Sequence, residues 1–443
     1  MHMLGAELPL WTTLPFVGLL LCIAILPLAV PHFWESNLNK GAVAALFALP
    51  VLLYFPAAFG TEGVHQLLGS ALDYVSFILL LASLFVITGG IHVSGSLSGT
   101  PLLNTMFLAA GGLVANFIGT TGASALLVRP LLRANEPRER KAHIFVFFIF
   151  IVSNCGGLLA PLGDPPLFLG FLKGVPFTWT LGLWRPWLLV NGALLVLFNL
   201  WDRLLFKREG PELQGPGLQE VMHHTPVQIR GKRNLLFLTA IVATIYASGK
   251  GIGTGGSAWP IGLQEGLMLA IASAAWRTTH HEHRRSNNFT FGPIVEVAAL
   301  FAGIFVTMRP ALLLLNTRAA ELGLSEPWQF FWAAGALSSF LDNAPTYLTF
   351  AAAASGLHGV PLEGKYLAAL LSKGSATKEV LGAISTGAVF MGANSYIGNG
   401  PNFMVKAIAE ENGVTMPSFF GYMAYSCGIL LPLFVIVTFI VFL

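Results

Sequence analysis

Asp164 lies in the stretch VSNCGGLLAPLGDPP at 152–166, which interrupts a long apolar run. Its glycines and prolines disfavour a continuous helix, so the stretch predicts an unwound segment whose freed backbone groups need new partners. Ser153 and Asn154 add two polar side chains beside that backbone. A cation can be held by carbonyls, an amide oxygen and a carboxylate, whereas an anion would bind freed amides and helix N-termini. The residue types therefore predict an ion site and leave the sign of the ion open.

A second break, MGANSYIGNGPN at 391–402, has amide and hydroxyl side chains but no acid. Both breaks share the order Gly, Asp or Asn, any residue, Pro, any residue, Phe, so Asn399 corresponds to Asp164. We expect the two breaks to serve one site. The candidate ligands in the second break are Asn394, Ser395 and Asn399.

Two other apolar stretches, 102–132 and 327–357, have polar residues and helix breakers at their centres. A continuous lipid-facing helix would avoid such residues, so each stretch predicts a helical hairpin that enters the membrane and returns. The second hairpin has an acid that the first lacks, whereas among the two breaks it is the first that has the acid. The candidate ligands at the two tips are Thr120, Thr121, Asp342 and Asn343.

Each half of the chain thus presents one carboxylate, Asp164 from a break and Asp342 from a hairpin. Low dielectric favours the neutral form of a buried carboxyl group, so such an acid can exchange a proton for a metal cation. Two structural roles stay open, because Asp164 could cap the half-helix that follows it and Asp342 could lie near water. The candidate Na⁺ ligands are Asp164, Asp342, Asn154 and Asn394.

Glu296 lies about one and a half turns inside a predicted membrane span. An acid at that depth is costly unless it is paired or hydrated, so we expect a functional role; the alternative is a residue near the interface that pairs with a basic loop. The histidine-rich stretch at 279–285 ends in two arginines and indicates a solvated loop. The sequence has no Walker loop, GxSxG or HExxH motif, so we expect neither an ATP-driven pump nor an enzyme.

The composition is that of a chain embedded in lipid. Of its 443 residues, 55% are hydrophobic and 10% are charged, and the mean hydropathy is +0.71. A soluble domain could not bury so much apolar surface. Strand-like alternation is absent, so the apolar runs are predicted to cross the bilayer as helices. These runs lie near 11–31, 42–60, 73–98, 143–172, 182–206, 234–249, 258–276, 291–315, 379–410 and 418–443.

The two halves of the chain share short motifs in the same order. ASLFV at 82–86 matches AGIFV at 302–306, and AAGG at 109–112 matches AAGA at 333–336. If the hairpin at 102–132 enters and leaves the membrane from the cytoplasm, the basic loops all lie on the cytoplasmic side. Each half then has five crossings and one hairpin, and this odd number of crossings inverts the second half. The first predicted repeat covers 1–206, with a hairpin at 102–132 and a broken helix at 143–173. A cytoplasmic linker over 207–233 follows it. The second predicted repeat covers 234–443, with a hairpin at 327–357 and a broken helix at 379–410.

The predicted fold is therefore an all-α polytopic membrane protein of two inverted-topology repeats. It has about ten transmembrane helices, two re-entrant hairpins and helices that are broken near the midplane. Repeats of this kind are typical of secondary transporters, in which both halves build one site.

Five motifs resemble the ion transporter superfamily, in the branch of NhaD-type sodium/proton antiporters, ArsB-type arsenite exporters and citrate-transporter-like proteins. They are FIGTTGAS, SNCGGLLAPLGDPP, FGPIVEVAALFAGIF, FLDNAPT and GANSYIGNGPN. The resemblance implies that substrate binds where hairpin tips meet helix breaks, that a transport domain slides as an elevator against a scaffold domain, and that the protein is a homodimer. The positions it carries over are Thr120, Thr121, Ser153, Asn154, Asp164, Asp342, Asn343, Thr346, Asn394, Ser395 and Asn399.

The sequence departs from characterised sodium antiporters at two places, because Gly119 and Thr120 replace an acid or asparagine and DPP at 164–166 replaces a threonine-rich continuation. Two embedded acids without an embedded lysine or arginine at the breaks favour a cation over a multivalent anion. We expect an antiporter of Na⁺ or Li⁺ against H⁺ in a bacterial inner membrane. Its partners would be a small inorganic ion and the lipid bilayer, without nucleic acid, and Na⁺ and H⁺ would take the place of any cofactor.

Two alternatives remain. The first is a Na⁺- or H⁺-coupled transporter of an anion or oxyacid, such as citrate or a dicarboxylate, arsenite or silicate. In it, protons or Na⁺ would occupy the acids and the serine and asparagine side chains would hold the substrate. The second is a channel or receptor-like protein without coupling, which the broken repeats disfavour because a channel needs no alternating site.

Overall fold

The structure is a computed structural model that describes residues 4–94, 99–209 and 228–443. Most of these residues lie in α-helices. The β-structure within those ranges is one antiparallel pair, β1 His92–Ser94 with β2 Gln228–Arg230. Residues 210–227 of the predicted linker lie outside the described residues.

The helices differ widely in length. In the first half they are α1 Leu4–Glu7, α2 Leu14–Ala29, α3 Pro31–Glu35, α4 Asn37–Thr88, α5 Pro101–Ile118, α6 Thr120–Ala134, α7 Ala142–Ile151, α8 Pro165–Leu172 and α9 Trp184–Phe206. In the second half they are α10 Arg233–Lys250, α11 Leu263–Thr278, α12 His281–Ser286, α13 Gly292–Thr317, α14 Pro327–Ser338, α15 Asn343–Leu357, α16 Tyr366–Ser372, α17 Ser375–Met391, α18 Gly400–Glu411 and α19 Phe419–Val437.

Seven helices in the described part of the chain are long and apolar enough to cross a membrane. The protein is therefore an all-α, multi-pass membrane protein. The count of about ten crossings stays a prediction, because it rests on shorter segments as well. The seven helices are Leu10–Ala29, Asn37–Thr88, Pro101–Ile118, Ala142–Leu159, Trp179–Phe206, Gly292–Thr317 and Phe419–Phe442.

Helix α4 covers the predicted span 42–60 and the first part of the predicted span 73–98 as one run of 52 residues, and it ends at Thr88. It is not straight, because Gly60 has φ 56° and ψ −131° and separates two arms. A Cβ built on Gly63 would stand 2.1 Å from the Phe55 carbonyl oxygen, a contact that is impossible in a straight helix. The chain therefore turns sharply at Gly60, where glycine tolerates a positive φ.

The same order of elements occurs in both halves. A closely spaced helix pair is followed by an interrupted helix and then by a long final helix. In the first half these are α5 with α6, α7 with α8, and α9; in the second half they are α14 with α15, α17 with α18, and α19. Gly119 alone joins α5 to α6, and residues 339–342 join α14 to α15.

The interrupted helices lie in the interior of the molecule. Every residue of 143–151 in α7 and of 380–391 in α17 is buried. A helix that is apolar all round must be surrounded by other helices or by lipid, and these two are surrounded by protein. By contrast α4, α9 and α19 expose large hydrophobic side chains, as lipid-facing helices do. The outer helices thus separate the two breaks from the bilayer.

Helices α4 and α13 pack closely against each other and form a wall beside the interrupted helices. Phe77 stacks on Phe301 with 4.9 Å between ring centroids, and Phe305 completes the aromatic cluster. Gly303 allows this approach, because a Cβ built there would lie 2.8 Å from the Ala44 Cβ. No side chain larger than hydrogen fits at that position without a shift.

Replacing Gly303 by alanine is expected to lower the unfolding temperature of the purified protein. The added methyl group forces α4 and α13 apart, and overpacking of this kind costs about 1–3 kcal/mol. Gly266→Ala in α11 is the matched control, since a Cβ there would meet no described atom within 4 Å. Thermal unfolding in detergent, followed by intrinsic fluorescence, measures both. Equal stability of the two variants would show that this contact does not limit packing.

Candidate functional site

The carboxylate of Asp164 is the centre of a buried hydrogen-bond cluster, and only 1% of the residue is exposed. Thr120 Oγ1 donates to its Oδ1 at 2.8 Å, and Asn343 Nδ2 donates to its Oδ2 at 2.8 Å. Asn399 Nδ2 donates to Oδ1 at 3.3 Å. The three donors come from both helix pairs and from the second break. Four segments that are distant in sequence therefore meet at one side chain.

Each of these four residues stands at the beginning of a helix. Thr120 is the first residue of α6 and Asn343 is the first residue of α15, while Asp164 and Asn399 directly precede α8 and α18. The N-terminus of a helix carries about half a positive charge. Four N-termini therefore converge on the Asp164 carboxylate and stabilise negative charge there.

Asp164 and Asn399 occupy equivalent positions. Both have extended backbones, with φ −143° and ψ 144° at Asp164 and φ −150° and ψ 140° at Asn399. In the described chain neither side chain bonds to the helix that follows it. The reason is the same in both. The second residue of each helix, Pro166 or Pro401, has no N–H to donate, and the N–H of the third residue donates to the backbone carbonyl of Asp164 or Asn399. The Asp164 side chain is thus not a helix cap, and its oxygens are available to the other segments.

The first break is folded tightly on itself. A Cβ on Gly163 would stand 2.0 Å from the Gly157 carbonyl oxygen, so only glycine fits there. The Thr120 N–H donates to the Gly163 carbonyl at 2.8 Å, which fastens the tip of the first helix pair to the break. Gly119, with φ 78° and ψ 152°, allows the chain to reverse between α5 and α6.

Asparagines bond the two breaks to each other. Asn154 Nδ2 donates to Asn402 Oδ1 at 2.7 Å, and Asn399 Nδ2 donates to Asn154 Oδ1 at 3.1 Å. Asn402 Nδ2 in turn donates to the carbonyls of Gly392 and Ser395. Asn154 and Asn402 are fully buried. This network satisfies unwound backbone and joins the halves of the chain.

Three residues that the sequence patterns do not single out hold the first break in place. Asn116 Nδ2 and Trp187 Nε1 both donate to the Gly156 carbonyl, at 2.7 and 2.8 Å. Asn191 Nδ2 donates to the Cys155 carbonyl at 3.1 Å. A single asparagine inside an apolar run is the available signal for Asn116 and Asn191.

Asp342 caps α15, because its Oδ1 accepts the Ala344 N–H at 3.0 Å. Thr346 Oγ1 donates to the Asp342 carbonyl oxygen at 3.0 Å. Asp342 is half-buried and lies close enough for its charge to act on Asp164. The two acids therefore share one neighbourhood, although Asp164 accepts side-chain donors and Asp342 a backbone donor.

The remaining candidate residues have hydrogen-bond partners other than the Asp164 carboxylate. Asn394 and Ser395 bond to Ser339 at the end of α14, and Asn394 Oδ1 is buried without a hydrogen-bond partner in the described chain. Ser153 Oγ pairs with Ser124 Oγ at 2.7 Å. These hydrogen bonds stabilise the helix ends and the two breaks.

Glu296 is not brought into this cluster. Its carboxylate lies 2.7 Å from Nζ of Lys40, whose side chain is 6% exposed. The acid is thus paired with a lysine of α4, and the pair joins α4 to α13. From the sequence, the alternative role of Glu296 is pairing with a basic loop. In the structure its partner, Lys40, lies in helix α4.

A cavity of about 80 Å³ adjoins Asp164. Asp164, Thr120 and Thr121 form its polar wall, and the apolar wall includes Leu84 of α4 and Val297 of α13. Among the described residues that line it, none is a lysine or an arginine. Helix N-termini are therefore the source of positive potential in the described wall of this cavity.

A multi-pass helical fold with a buried ionisable group where interrupted helices meet defines the class of membrane transporters. A protein-family model described as "Putative citrate transport" matches residues 5–442, so the chain belongs to this family. No curated protein matches the chain. The family fits the ion transporter superfamily that the motifs resemble, and it gives no support to the NhaD-type branch in particular.

Replacing Asn154 by alanine is expected to destabilise the protein strongly. The change leaves the buried Asn402 Oδ1 without its donor, which costs about 1–3 kcal/mol, and it removes one of the acceptors of Asn399 Nδ2. Asn412→Ala is the control, because Asn412 is exposed at the end of α18 and bonds only to the Ile408 carbonyl in the described chain. Thermal unfolding in detergent measures both variants. A similar unfolding temperature for both would contradict a supporting role of the asparagine network.

Proposed function

We propose that this protein is a secondary transporter of citrate or a closely related polycarboxylate, coupled to protons or Na⁺. The observation that carries the proposal is the convergence of four helix N-termini on Asp164, in a chain of the citrate-transport family. Helix N-termini bind carboxylates through their free N–H groups and their dipoles. An anion site can therefore exist here without lysine or arginine.

Coupling follows from charge balance. Four N-termini contribute about +2 charges in total, and the two ionised acids Asp164 and Asp342 cancel roughly that amount. Each proton or Na⁺ that neutralises an acid leaves about one positive charge for the substrate. The donors Thr120, Asn343 and Asn399 then turn from the Asp164 carboxylate to a substrate carboxylate. The coupling ion must bind first, because no net positive charge is available to the anion while both acids are ionised.

Movement of the site is part of the proposal. The repeated order of elements supports two inverted repeats, 1–206 and 234–443, that together form a transport domain from the helix pairs and interrupted helices. The wall of α4 and α13 belongs to a scaffold domain, against which the transport domain slides as an elevator. The scaffold domain is also the proposed dimer interface, and a bacterial inner membrane is the proposed location.

Exchange of Na⁺ or Li⁺ against H⁺ is the second candidate function. It is favoured by the proximity of Asp164 and Asp342 and by the buried Asn394 Oδ1, which has no hydrogen-bond partner in the described chain. In this function Asp164, Asp342, Asn154 and Asn394 bind the cation, and no anion enters the site.

Uptake of radiolabelled citrate into proteoliposomes, driven in turn by a pH gradient and a Na⁺ gradient, tests the proposal. A pH-sensitive dye in the lumen reports proton movement with citrate, arsenite, silicate or Na⁺ alone. Gradient-driven citrate uptake supports the first function. Proton movement that needs Na⁺ but no anion supports antiport, and citrate flux that ignores both gradients would contradict coupling.

Asp164→Asn is expected to reduce gradient-driven citrate uptake to the level of protein-free vesicles. An amide cannot take up or release a proton, so position 164 stays permanently neutral and one of the two coupling acids is lost. Citrate binding to the purified variant should persist, and its dependence on pH and Na⁺ should fall to the part that Asp342 contributes, which calorimetry measures. Glu139→Gln, an exposed acid outside the site, is the control and should transport normally. Unchanged coupled uptake in Asp164→Asn would refute the role of this acid.

A further inference from the structure

A second cavity, of about 270 Å³, lies at the other end of α8 from Asp164. Lys250 at the end of α10 and Lys365 just before α16 line it. Gln264 of α11, which is 7% exposed, adds a buried amide to its wall. None of the described residues that line this cavity is acidic. We call it the basic cavity.

The basic cavity differs in charge from its neighbours. The cavity beside Asp164 has an acid and, within the described residues, no lysine or arginine in its wall. A larger cavity of about 560 Å³ is lined by Glu62 and Glu363. Lys173 lies next to the basic cavity but is already paired with Asp73. Lys250 and Lys365 are both exposed. Another cavity has two cationic side chains, Arg230 and Lys232, in its wall, but none of its described lining residues belongs to α8. Two exposed ammonium groups are therefore presented to the cavity that adjoins α8.

Two phenylalanines of α8 separate the basic cavity from the Asp164 cavity. Phe168 lines the Asp164 cavity and Phe171 lines the basic cavity, and their rings stack with 6.0 Å between centroids. Residues three apart lie on the same side of a helix. Gly249 packs closely on the Phe171 ring, since a Cβ there would lie 2.7 Å from it. The two cavities are thus neighbours, one helical turn apart.

We propose that the basic cavity is an outer binding site for the polycarboxylate substrate, from which the anion passes to the Asp164 cavity. This inference rests on the proposed function for the identity of the anion. Two ammonium groups can each pair with a different carboxylate of one anion, and the Gln264 amide can donate to a third. Exposed ammonium groups bind weakly and reversibly, which suits a site that must release its ligand onward.

The role of the outer site is electrostatic attraction. The inner cavity has two acids nearby, so it offers a trivalent anion no net positive charge until those acids are neutralised. Lysines one helical turn away raise the local concentration of the anion at that entrance. The outer site should therefore affect the apparent affinity for substrate and its salt dependence, and leave the maximal rate nearly unchanged.

Initial rates of citrate uptake by proteoliposomes test this with the double variant Lys250→Gln with Lys365→Gln. At low ionic strength its apparent KM should rise about 3- to 10-fold with an unchanged maximal rate, and in about 0.5 M salt the difference should shrink. Lys378→Gln, an exposed lysine of α17 outside the cavity, is the matched control and should keep the wild-type KM. Unfolding temperatures verify that all variants are folded.

Calorimetric titration of the solubilised proteins with citrate gives a second readout that needs no transport. Weaker citrate binding by the double variant supports the outer site even if the wild type transports something else, in which case only the proposed function fails. Citrate transport with the wild-type KM at low salt in the double variant would overturn the outer site and leave the proposed function intact. An equal effect of Lys378→Gln, or no citrate binding by the wild type, also overturns it.

Discussion

The structure depends on one arrangement, in which four helices begin around the carboxylate of Asp164. Each helix start carries the positive end of a helix dipole, and in an apolar interior these dipoles favour a negative partner. Asp164 is that partner, held by Thr120, Asn343 and Asn399. The helix pairs and the interrupted helices all end at this point. A change in the charge of one side chain therefore reaches both halves of the chain.

Unwound backbone inside a membrane protein is stable only where other groups complete its hydrogen bonds. Here the partners are mainly neutral amides, such as Asn116 and Asn191 for the first break and Asn402 for the second. Neutral partners leave the local potential to the helix dipoles and the acids. The framework can thus be rigid while the charge of its centre still varies with the ions that bind.

Much of this could be predicted from the sequence, because glycine, proline and polar residues are costly inside an apolar run unless the helix is interrupted there. Gly119 and the Gly163–Asp164 break stand out in this way, and a helix ends directly before Gly119 while another begins directly after Asp164. The location of Glu296 could not be predicted, since its partner Lys40 is distant in sequence and only the packing of α4 on α13 brings them together. The hydrogen bonds of Asp164 likewise depend on tertiary contacts between separate segments.

The sign of the transported ion is harder to predict from the sequence than the place where it binds. A preference for a cation follows from counting formal charges near the breaks, and the helix dipoles do not appear in such a count. Four N-termini add positive potential without any basic residue, so the same acids are compatible with an anionic substrate. The family match to citrate transport agrees with this interpretation of the charges.

The prolines that follow Asp164 and Asn399 have a consequence for how such a centre can be altered. Pro166 and Pro401 withhold the amide that would normally engage the preceding side chain. A residue with an N–H at either position would offer a local partner and draw that side chain back to its own helix. Because proline lacks this N–H, the side chains of Asp164 and Asn399 remain available to bond to other segments of the chain.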